Sequence, residues 1–321
     1  MLKRLVYFVV LRGVARAAML LVPAAVIASS SFAQQEAAQI STQQDVVRPT
    51  PQTDSDEETE PSVADPDLGE INLVRRTPRP KMFTFSTSEE FHYTTNAFLT
   101  PTNVQDAFFW NGRLDASFVP YATRDFTPRL TFEQNFFRYD HVSQLDFDSQ
   151  SLQLDLKYDL KADDSWFVNA SYAIARLYSP HSDDDDFYHF GLASIGITNV
   201  RQLGGSPIYF SGTLGSQHRH GDPSSFDRFA AFLNVALFYS PVDHVQLTAF
   251  ARPEGQFYTN DPIDSSRTDL NFSVGASAVY TPIDYVSVGV TASFVGNSSS
   301  SASADYAVAS PSLVLGGRIA F

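Results

Sequence analysis

The stretch "SLQLDLKYDL", Ser151–Leu160, alternates apolar and polar side chains without a break. Its leucines and tyrosine share one face, while serine, glutamine, lysine and two aspartates share the other. Successive side chains of a β-strand point to opposite faces, so this period of two indicates a strand whose faces meet different surroundings. Asn271–Tyr280 and Val286–Phe294 repeat the pattern. The sequence therefore predicts a sheet that is apolar on one face and polar on the other.

Segments of this kind follow one another along the chain after Lys81, with no convincing helical stretch between them. Most have ten or more residues, whereas strands of soluble sheets usually have about five to six. A tilted strand that crosses a bilayer needs about nine to eleven residues. Twelve segments are predicted: residues 81–94, 108–118, 128–138, 147–160, 165–178, 187–198, 206–217, 226–239, 245–257, 268–280, 285–296 and 311–321.

The connections between these segments alternate between two classes. Some are short and turn-like, such as Ser240–His244 and Thr281–Asp284, and the others are longer and polar, such as Ser179–Asp186 and Thr259–Arg267. A sheet in hydrocarbon must close on itself, because lipid offers no partners to backbone groups. Long strands, an even strand number and two classes of connection therefore predict an all-β, closed, up-and-down antiparallel transmembrane barrel of twelve strands. A secreted β-sandwich would explain the alternation but not the strand length.

Aromatic residues are concentrated at both ends of the predicted strands. In membrane barrels such residues form girdles where the membrane meets water. Beside the short turns they are Tyr121, Phe126, Trp166, Tyr239, Tyr280 and Tyr285. Beside the long loops they are Phe108, Phe109, Trp110, Tyr139, Tyr178 and Tyr188.

The first eighty residues are predicted to lie outside the barrel domain, which spans 81–321. Residues 1–33 have the layout of a signal peptide, with four basic residues before an apolar run and a small-x-small cleavage site ending at Ala33. An uncleaved membrane anchor is the alternative. Cleavage would change the formal net charge from −14 to −18. Residues 34–80 are acidic, rich in proline and poor in large apolar residues, which predicts a disordered periplasmic tether.

The chain ends with "SPSLVLGGRIAF", Ser310–Phe321, another alternating segment. Leu313, Leu315, Ile319 and the terminal Phe321 share its apolar face. With this ending, the region from Lys81 onward resembles the Gram-negative outer-membrane β-barrel proteins. The resemblance implies that these four residues form an assembly signal, recognised by the barrel-assembly machinery.

The resemblance also implies a compartment and its partners. It places the chain in the bacterial outer membrane, in contact with membrane lipid and lipopolysaccharide, with the N-terminal segment and the C-terminus in the periplasm. The strong acidity argues against nucleic acid as a partner, because nucleic-acid binding needs cationic residues that neutralise phosphates. No cofactor is expected.

Parity assigns ten charged residues to the inward face of the predicted barrel. An Arg or Lys that faced lipid near the bilayer midplane would cost about 2–4 kcal/mol, which supports that assignment. The predicted lumen-lining residues are Arg113, Asp115, Arg129, Glu133, Asp155, Lys157, Arg228, Arg252, Asp269 and Arg318.

Three functions are compatible with such a lumen. The expected one is a porin-like passive channel for small polar solutes, because both signs of charge and small residues line the bore. The alternative is a structural or surface-interaction barrel with a closed lumen and acidic loops that bridge cations or lipopolysaccharide. The third is an outer-membrane hydrolase. The sequence has no Gly-x-Ser-x-Gly motif and does not match the outer-membrane phospholipase pattern, so we expect no enzyme and assign no catalytic residue. An Asp/His protease site assembled from loop tips would leave no local motif and stays the open form of this alternative.

Two polar clusters are candidates for divalent cations. One is "HSDDDD", whose candidate ligands are His181, Asp183, Asp184, Asp185 and Asp186. Its carboxylates suit Ca²⁺ or Mg²⁺, but it lacks the ligand spacing and the turn glycine of a defined calcium loop, which favours a solvated acidic loop. The other is "HRH", whose His218 and His220 offer two imidazoles, fewer ligands than a zinc site uses. Cysteine is absent, which excludes cysteine metal sites, disulfides and thiol chemistry.

Overall fold

The computed structural model describes residues 81–123, 125–160, 165–181, 186–204, 206–262 and 264–321. The predicted signal peptide (1–33) and periplasmic tether (34–80) lie outside the described residues. Among the described residues, no helix is long and apolar enough to cross a membrane.

Twelve antiparallel strands form one closed barrel, in which each strand pairs with its neighbours in sequence and the last pairs with the first. This confirms the predicted fold. The strands are β1 Phe83–Thr94, β2 Ala107–Phe118, β3 Phe126–Tyr139, β4 Phe147–Asp159, β5 Trp166–Tyr178, β6 Asp186–Gln202, β7 Ile208–Asp222, β8 Arg228–Val242, β9 Val245–Tyr258, β10 Thr268–Ile283, β11 Val286–Ser299 and β12 Tyr306–Ala320.

Several strands are longer than the alternation of the sequence indicated. The structure extends β7 to Asp222, and it begins β12 at Tyr306 instead of residue 311. Both extensions lie at the end of the barrel that carries the long loops. The cross-strand ladder continues there although the apolar–polar pattern has stopped. Single-turn 3₁₀ helices lie in three long loops, at Ser143–Leu145, Ser224–Phe226 and Ala302–Ala304.

The seam between β1 and β12 closes the barrel. Phe83 and Phe321 exchange two backbone hydrogen bonds, with N···O distances of 2.9 and 3.0 Å. The Phe321 ring lies 6.0 Å from the rings of Phe83 and Phe85, measured between centroids. The terminal residue is thus paired through its backbone and packed through its side chain.

The two faces of each strand differ as predicted, but the inner face is not uniformly polar. On β8, Phe229, Leu233 and Leu237 are more than 40% exposed on the outer face, while Arg228 and Phe232 are buried on the inner one. The outer surface is apolar over most of its height. Inside, buried aromatic rings accompany the charged groups.

Five of the six aromatic residues beside the short turns are exposed, as a girdle requires, and Phe126 is half-buried. Trp166, Tyr239 and Tyr280 are 38–51% exposed. At the loop end the expected girdle is wrong for Tyr139 and Tyr188, which are 6% and 2% exposed. They share the inward parity of their strands and pack inside the barrel, because the long loops fold over them and provide apolar neighbours.

The β1–β12 register can be tested by cross-linking, since the chain contains no cysteine. Phe83 and Phe321 form a hydrogen-bonded pair, so the next pair, Thr84 and Ala320, is a non-hydrogen-bonded one. Such pairs have Cα atoms about 4.5 Å apart, within disulfide range. We expect the variant Thr84→Cys/Ala320→Cys to form an intramolecular disulfide on mild oxidation, detected as a shift in gel mobility after denaturation.

The matched control is Thr84→Cys/Gly316→Cys, because Gly316 pairs with Ser88, four residues further along β1. Four residues of a strand span about 13 Å, too far for a disulfide. Cross-linking of the control, or none in the test variant, would contradict this register.

Candidate functional site

A hydrogen-bonded group of side chains, here called the interior network, lies inside the barrel against β7–β9. It consists of Arg252, Glu254, Gln217, Gln256 and Tyr258. Arg252 donates through Nε and Nη2 to Glu254 Oε2, at 3.1 and 2.7 Å. Gln217 and Gln256 both donate to Glu254 Oε1, at 3.0 and 2.9 Å. Glu254 is 1% exposed and Arg252 4%, so the carboxylate is stabilised by its partners in place of water.

A second ion-paired group continues the interior network toward the loop end. Arg267, in the loop before β10, donates through Nη1 to Asp261 at 3.1 Å and through Nε to Asp269 at 2.9 Å. Its guanidinium lies 4.2 Å from the centroid of the Tyr258 ring. Burial opposes the charge, but the hydrogen bonds with Asp269 and Asp261 outweigh it and raise the pKa of Arg267 above its ordinary value. The loop is thereby fixed to the barrel wall by buried charges.

On β1, three inward residues spaced two apart form another buried contact. Ser88 Oγ donates to Glu90 Oε1 at 3.2 Å, and His92 Nε2 lies 3.1 Å from Glu90 Oε2. The His92 ring stacks on Phe109, with centroids 4.5 Å apart. A nucleophilic serine needs its hydroxyl bonded to the base, whereas here the carboxylate lies between the hydroxyl and the imidazole. The arrangement is that of a packed polar contact.

Apolar side chains form a packed layer inside the barrel at the loop end. We call this the loop-end layer; its members are Phe137, Tyr139, Val142, Leu145, Phe147, Leu177, Tyr188 and Phe226. The rings of Phe137 and Phe147 stack with centroids 4.2 Å apart. Leu145 and Phe147 are 0% exposed and Val142 is 2% exposed. Leu145 and Val142 come from the β3–β4 loop, so that loop turns inward instead of extending into solvent.

The β3–β4 loop is fixed in this position by Asp146. One carboxylate oxygen accepts a hydrogen bond from the backbone N–H of Tyr139, at 2.7 Å. The other oxygen lies 3.2 Å from Nε2 of His181, in the β5–β6 loop. Two long loops are therefore joined directly above the loop-end layer.

The half of the bore nearer the short turns is more open. Arg113 bonds Asp115 at 2.8 Å and Glu133 at 2.7 Å, and these side chains are 14–23% exposed. Small polar residues line the wall near this group, among them Ser117 and Thr131, whose hydroxyl oxygens are 3.3 Å apart. The bore is accordingly polar and partly exposed on the turn side and packed on the loop side.

Not all ten predicted lumen-lining residues lie together. The structure joins Arg113, Asp115 and Glu133 in one ion-paired group. Arg252 and Asp269 belong to the two buried groups above. Arg228 donates to Tyr258 of the interior network at 3.2 Å. Arg129 and Asp155 are cross-strand neighbours, and Asp155 also accepts from Gln153 at 2.6 Å. Lys157 pairs with Asp159, and Arg318 is partly buried.

Sequence reasoning missed the carboxylates that hold these groups in place. Glu254 has the same strand parity as Arg252, and Glu90 and His92 share the inward parity of β1. The alternation was therefore a sufficient signal for all three. Arg267 and Asp261 lie in a loop, where parity gives no direction, and only the folded chain brings them inside.

The candidate cation ligands are not assembled by the structure. Asp183, Asp184 and Asp185 lie outside the described residues. His181 contacts Asp146, and Asp186 lies 3.7 Å from Arg176. His218 and His220 lie on the outer face of β7, with rings 5.9 Å apart. Within the described parts of the chain, no group of three or more His, Cys, Asp or Glu residues could hold a metal ion.

Comparisons with known proteins identify the fold and no closer relationship. No protein-family model matches the sequence. No curated protein matches it either. An outer membrane channel from Pseudomonas putida F1 is similar in structure, with a TM-score of 0.50 and 14% identity over 78% of this chain and 100% of that one.

Two other solved structures are similar over comparable lengths. The translocator domain of the autotransporter NalP from Neisseria meningitidis has a TM-score of 0.46 and 12% identity over 77% of this chain and 91% of its own. The outer membrane channel DcaP of Acinetobacter baumannii has a TM-score of 0.43 and 10% identity over 74% and 96%. The closed barrel and its likeness to the channel from Pseudomonas putida F1 show that the chain has the fold of bacterial outer-membrane β-barrels.

The interior network makes a stability prediction. Replacing Glu254 by Ala leaves the guanidinium of Arg252 buried without its carboxylate, and breaking a buried pair in this way costs about 3–5 kcal/mol. We expect Glu254→Ala to lower the free energy of unfolding by that amount. Urea unfolding in lipid vesicles would measure it, through the fluorescence of the two tryptophans of the chain.

The control is Lys157→Ala, which removes a pair with Asp159 whose side chains are 46% and 30% exposed. Exposed pairs contribute about 0–1 kcal/mol, so this variant should unfold nearly as the wild type does. Equal effects of the two variants would contradict a stabilising role for the interior network.

Proposed function

We propose that this protein is an outer-membrane barrel whose bore is closed at the loop end by its own side chains, and that it acts as a structural or surface-interaction barrel. The observation that carries the proposal is the burial of the loop-end layer. Phe137, Leu145 and Phe147 are 1%, 0% and 0% exposed, although a water-filled mouth would leave such side chains accessible.

The buried ion pairs extend this closure across the other side of the bore. Arg267 joins the β9–β10 loop to Asp269 on the wall, and Asn297 of β11 donates to Asp269 at 3.0 Å. Glu254 and Arg252 lie deeper and are also buried. A solute would have to separate charges that are paired out of water, which is costly. In the proposed orientation the long loops face outside, and the short turns, with the start of β1 and the end of β12, face the periplasm.

A porin-like passive channel for small polar solutes is the second candidate. It is favoured by the turn-side half of the bore, where the Arg113 group is ion-paired but still 14–23% exposed. The likeness to an outer membrane channel of Pseudomonas putida F1 concerns the fold alone. In this second reading the loop-end layer would have to move aside for a solute to pass.

Planar-bilayer recording on the purified mature chain separates the two candidates. The informative variant is Val142→Ser/Leu145→Ser, which makes the inward turn of the β3–β4 loop unfavourable, because both side chains would then bury hydroxyl groups among aromatic rings. The control is Val104→Ser in the β1–β2 loop, where the side chain is 56% exposed. Heat-dependent gel mobility would establish that all three proteins are folded.

We expect no conductance steps from the wild type or from Val104→Ser, and steps from Val142→Ser/Leu145→Ser. Steps in the wild type would overturn the closed-bore proposal in favour of the channel. If the double variant is folded and shows no steps, the loop-end layer is not what closes the bore, and the proposal also fails.

A further inference from the structure

A groove of about 520 Å³ lies on the outer wall of the barrel, across β4–β7. Its floor is Gly191, on the outward face of β6. A Cβ at this position would lie 2.4 Å from His220 Cε1 and 2.8 Å from the hydroxyl oxygen of Tyr172. Gly191 has no side chain, and the His220 ring and the Tyr172 hydroxyl occupy the space above it and form this part of the groove wall.

The groove combines a polar end with an apolar end. Arg176, His189 and His220 line it toward the loops, and Leu152 and Ile174 line it toward the middle of the wall. The two apolar side chains are 41% and 51% exposed. A ligand that fits both ends has a polar or charged headgroup attached to hydrocarbon.

The charged side chain at the polar end is oriented by its neighbours and remains accessible. Arg176 Nε donates to Gln150 Oε1 at 3.0 Å, and the guanidinium lies 5.2 Å from the centroid of the Tyr178 ring. Its side chain is 50% exposed. Among the described residues, the carboxylate of Asp186 lies 3.7 Å from Arg176, and Asp222 is the cross-strand neighbour of His189. Even so, the side chains of Arg176, His189 and His220 bring more hydrogen-bond donors to the groove than these two residues bring carboxylates.

The position of Arg176 along its strand suits a membrane interface. It lies two residues before Tyr178, where β5 ends at the loop side. An outward Arg costs about 2–4 kcal/mol at the bilayer midplane but only about 0–1 near the interface. His189 and His220 lie at a similar height, because each is within three residues of the loop-side end of its strand, β6 or β7. The polar end of the groove is therefore level with lipid headgroups.

We propose that this groove binds the phosphate-bearing headgroup of an outer-leaflet glycolipid, with acyl chain carbon against Leu152 and Ile174. The planar guanidinium of Arg176 matches a phosphate in bidentate geometry, and imidazole N–H groups add donors. The inference uses the orientation in which the long loops face outside. It goes beyond the proposed function, because binding on the outer wall is independent of whether the bore is closed.

The test is native mass spectrometry of the folded, purified chain in detergent, with diphosphoryl lipid A and its dephosphorylated form as probes. We expect the wild type to retain the diphosphoryl form at least tenfold better. Arg176→Gln should lose that preference, because it removes the charge. Gly191→Leu should weaken binding of both lipids, since its side chain would push the His220 and Tyr172 rings into the groove.

The matched control is Arg201→Gln, an outward arginine on β6 at the short-turn end, stacked over Phe210. It should leave lipid A binding unchanged. Equal retention of the two lipids by the wild type, or no loss in Arg176→Gln, would overturn the proposal. Full competition by millimolar inorganic phosphate would also overturn it, by identifying a general anion site. Arg176→Gln alters an exposed side chain, so its result stands even if Gly191→Leu fails to fold.

Discussion

The structure depends on the hydrogen bonding of its backbone in a medium that offers no partners. A sheet in hydrocarbon cannot leave an edge unpaired, so the first and last strands must meet. That is why a chain terminus, usually frayed, is ordered here. Phe321 exchanges backbone hydrogen bonds with Phe83 and packs on its ring. Phe321 thereby adds one more pair to the seam that runs from Thr84 and Ala320 to His92 and Ser312.

Closure with twelve strands creates the second constraint, because the enclosed space must be filled or hydrated. Eight strands enclose only side chains, and sixteen enclose an aqueous channel. This barrel divides its bore by height. Nearer the short turns, groups such as Arg113 and Glu133 are ion-paired but remain partly exposed. Toward the loops, buried charges such as Glu254 with Arg252 and Asp269 with Arg267 are paired, because breaking such a pair leaves a costly buried charge.

The strands and their closure were predictable because period two and strand length are local properties of the sequence. The contents of the bore were predictable in part. Strand parity predicts that Arg252 and Asp269 face the bore. Glu254 has the same parity as Arg252, so its inward position is equally predictable. The inward turn of Val142 and Leu145 could not be predicted, because the direction of a loop depends on apolar surface supplied by other strands.

The side of the wall from which water is excluded changes along the barrel. This explains why the alternation of apolar and polar side chains reverses at the loop end. In the middle of β4, Leu154 faces outward and Asp155 inward; near the end of β5, Arg176 faces outward and Leu177 inward. Each strand places apolar side chains where water is excluded. In the middle of the wall the dry side is the lipid. At the loop end the dry side is the packed interior, and the outer side meets lipid headgroups in the proposed orientation. The closed loop end and the polar outer rim thus have the same cause: each strand directs its apolar side chains to the side from which water is excluded.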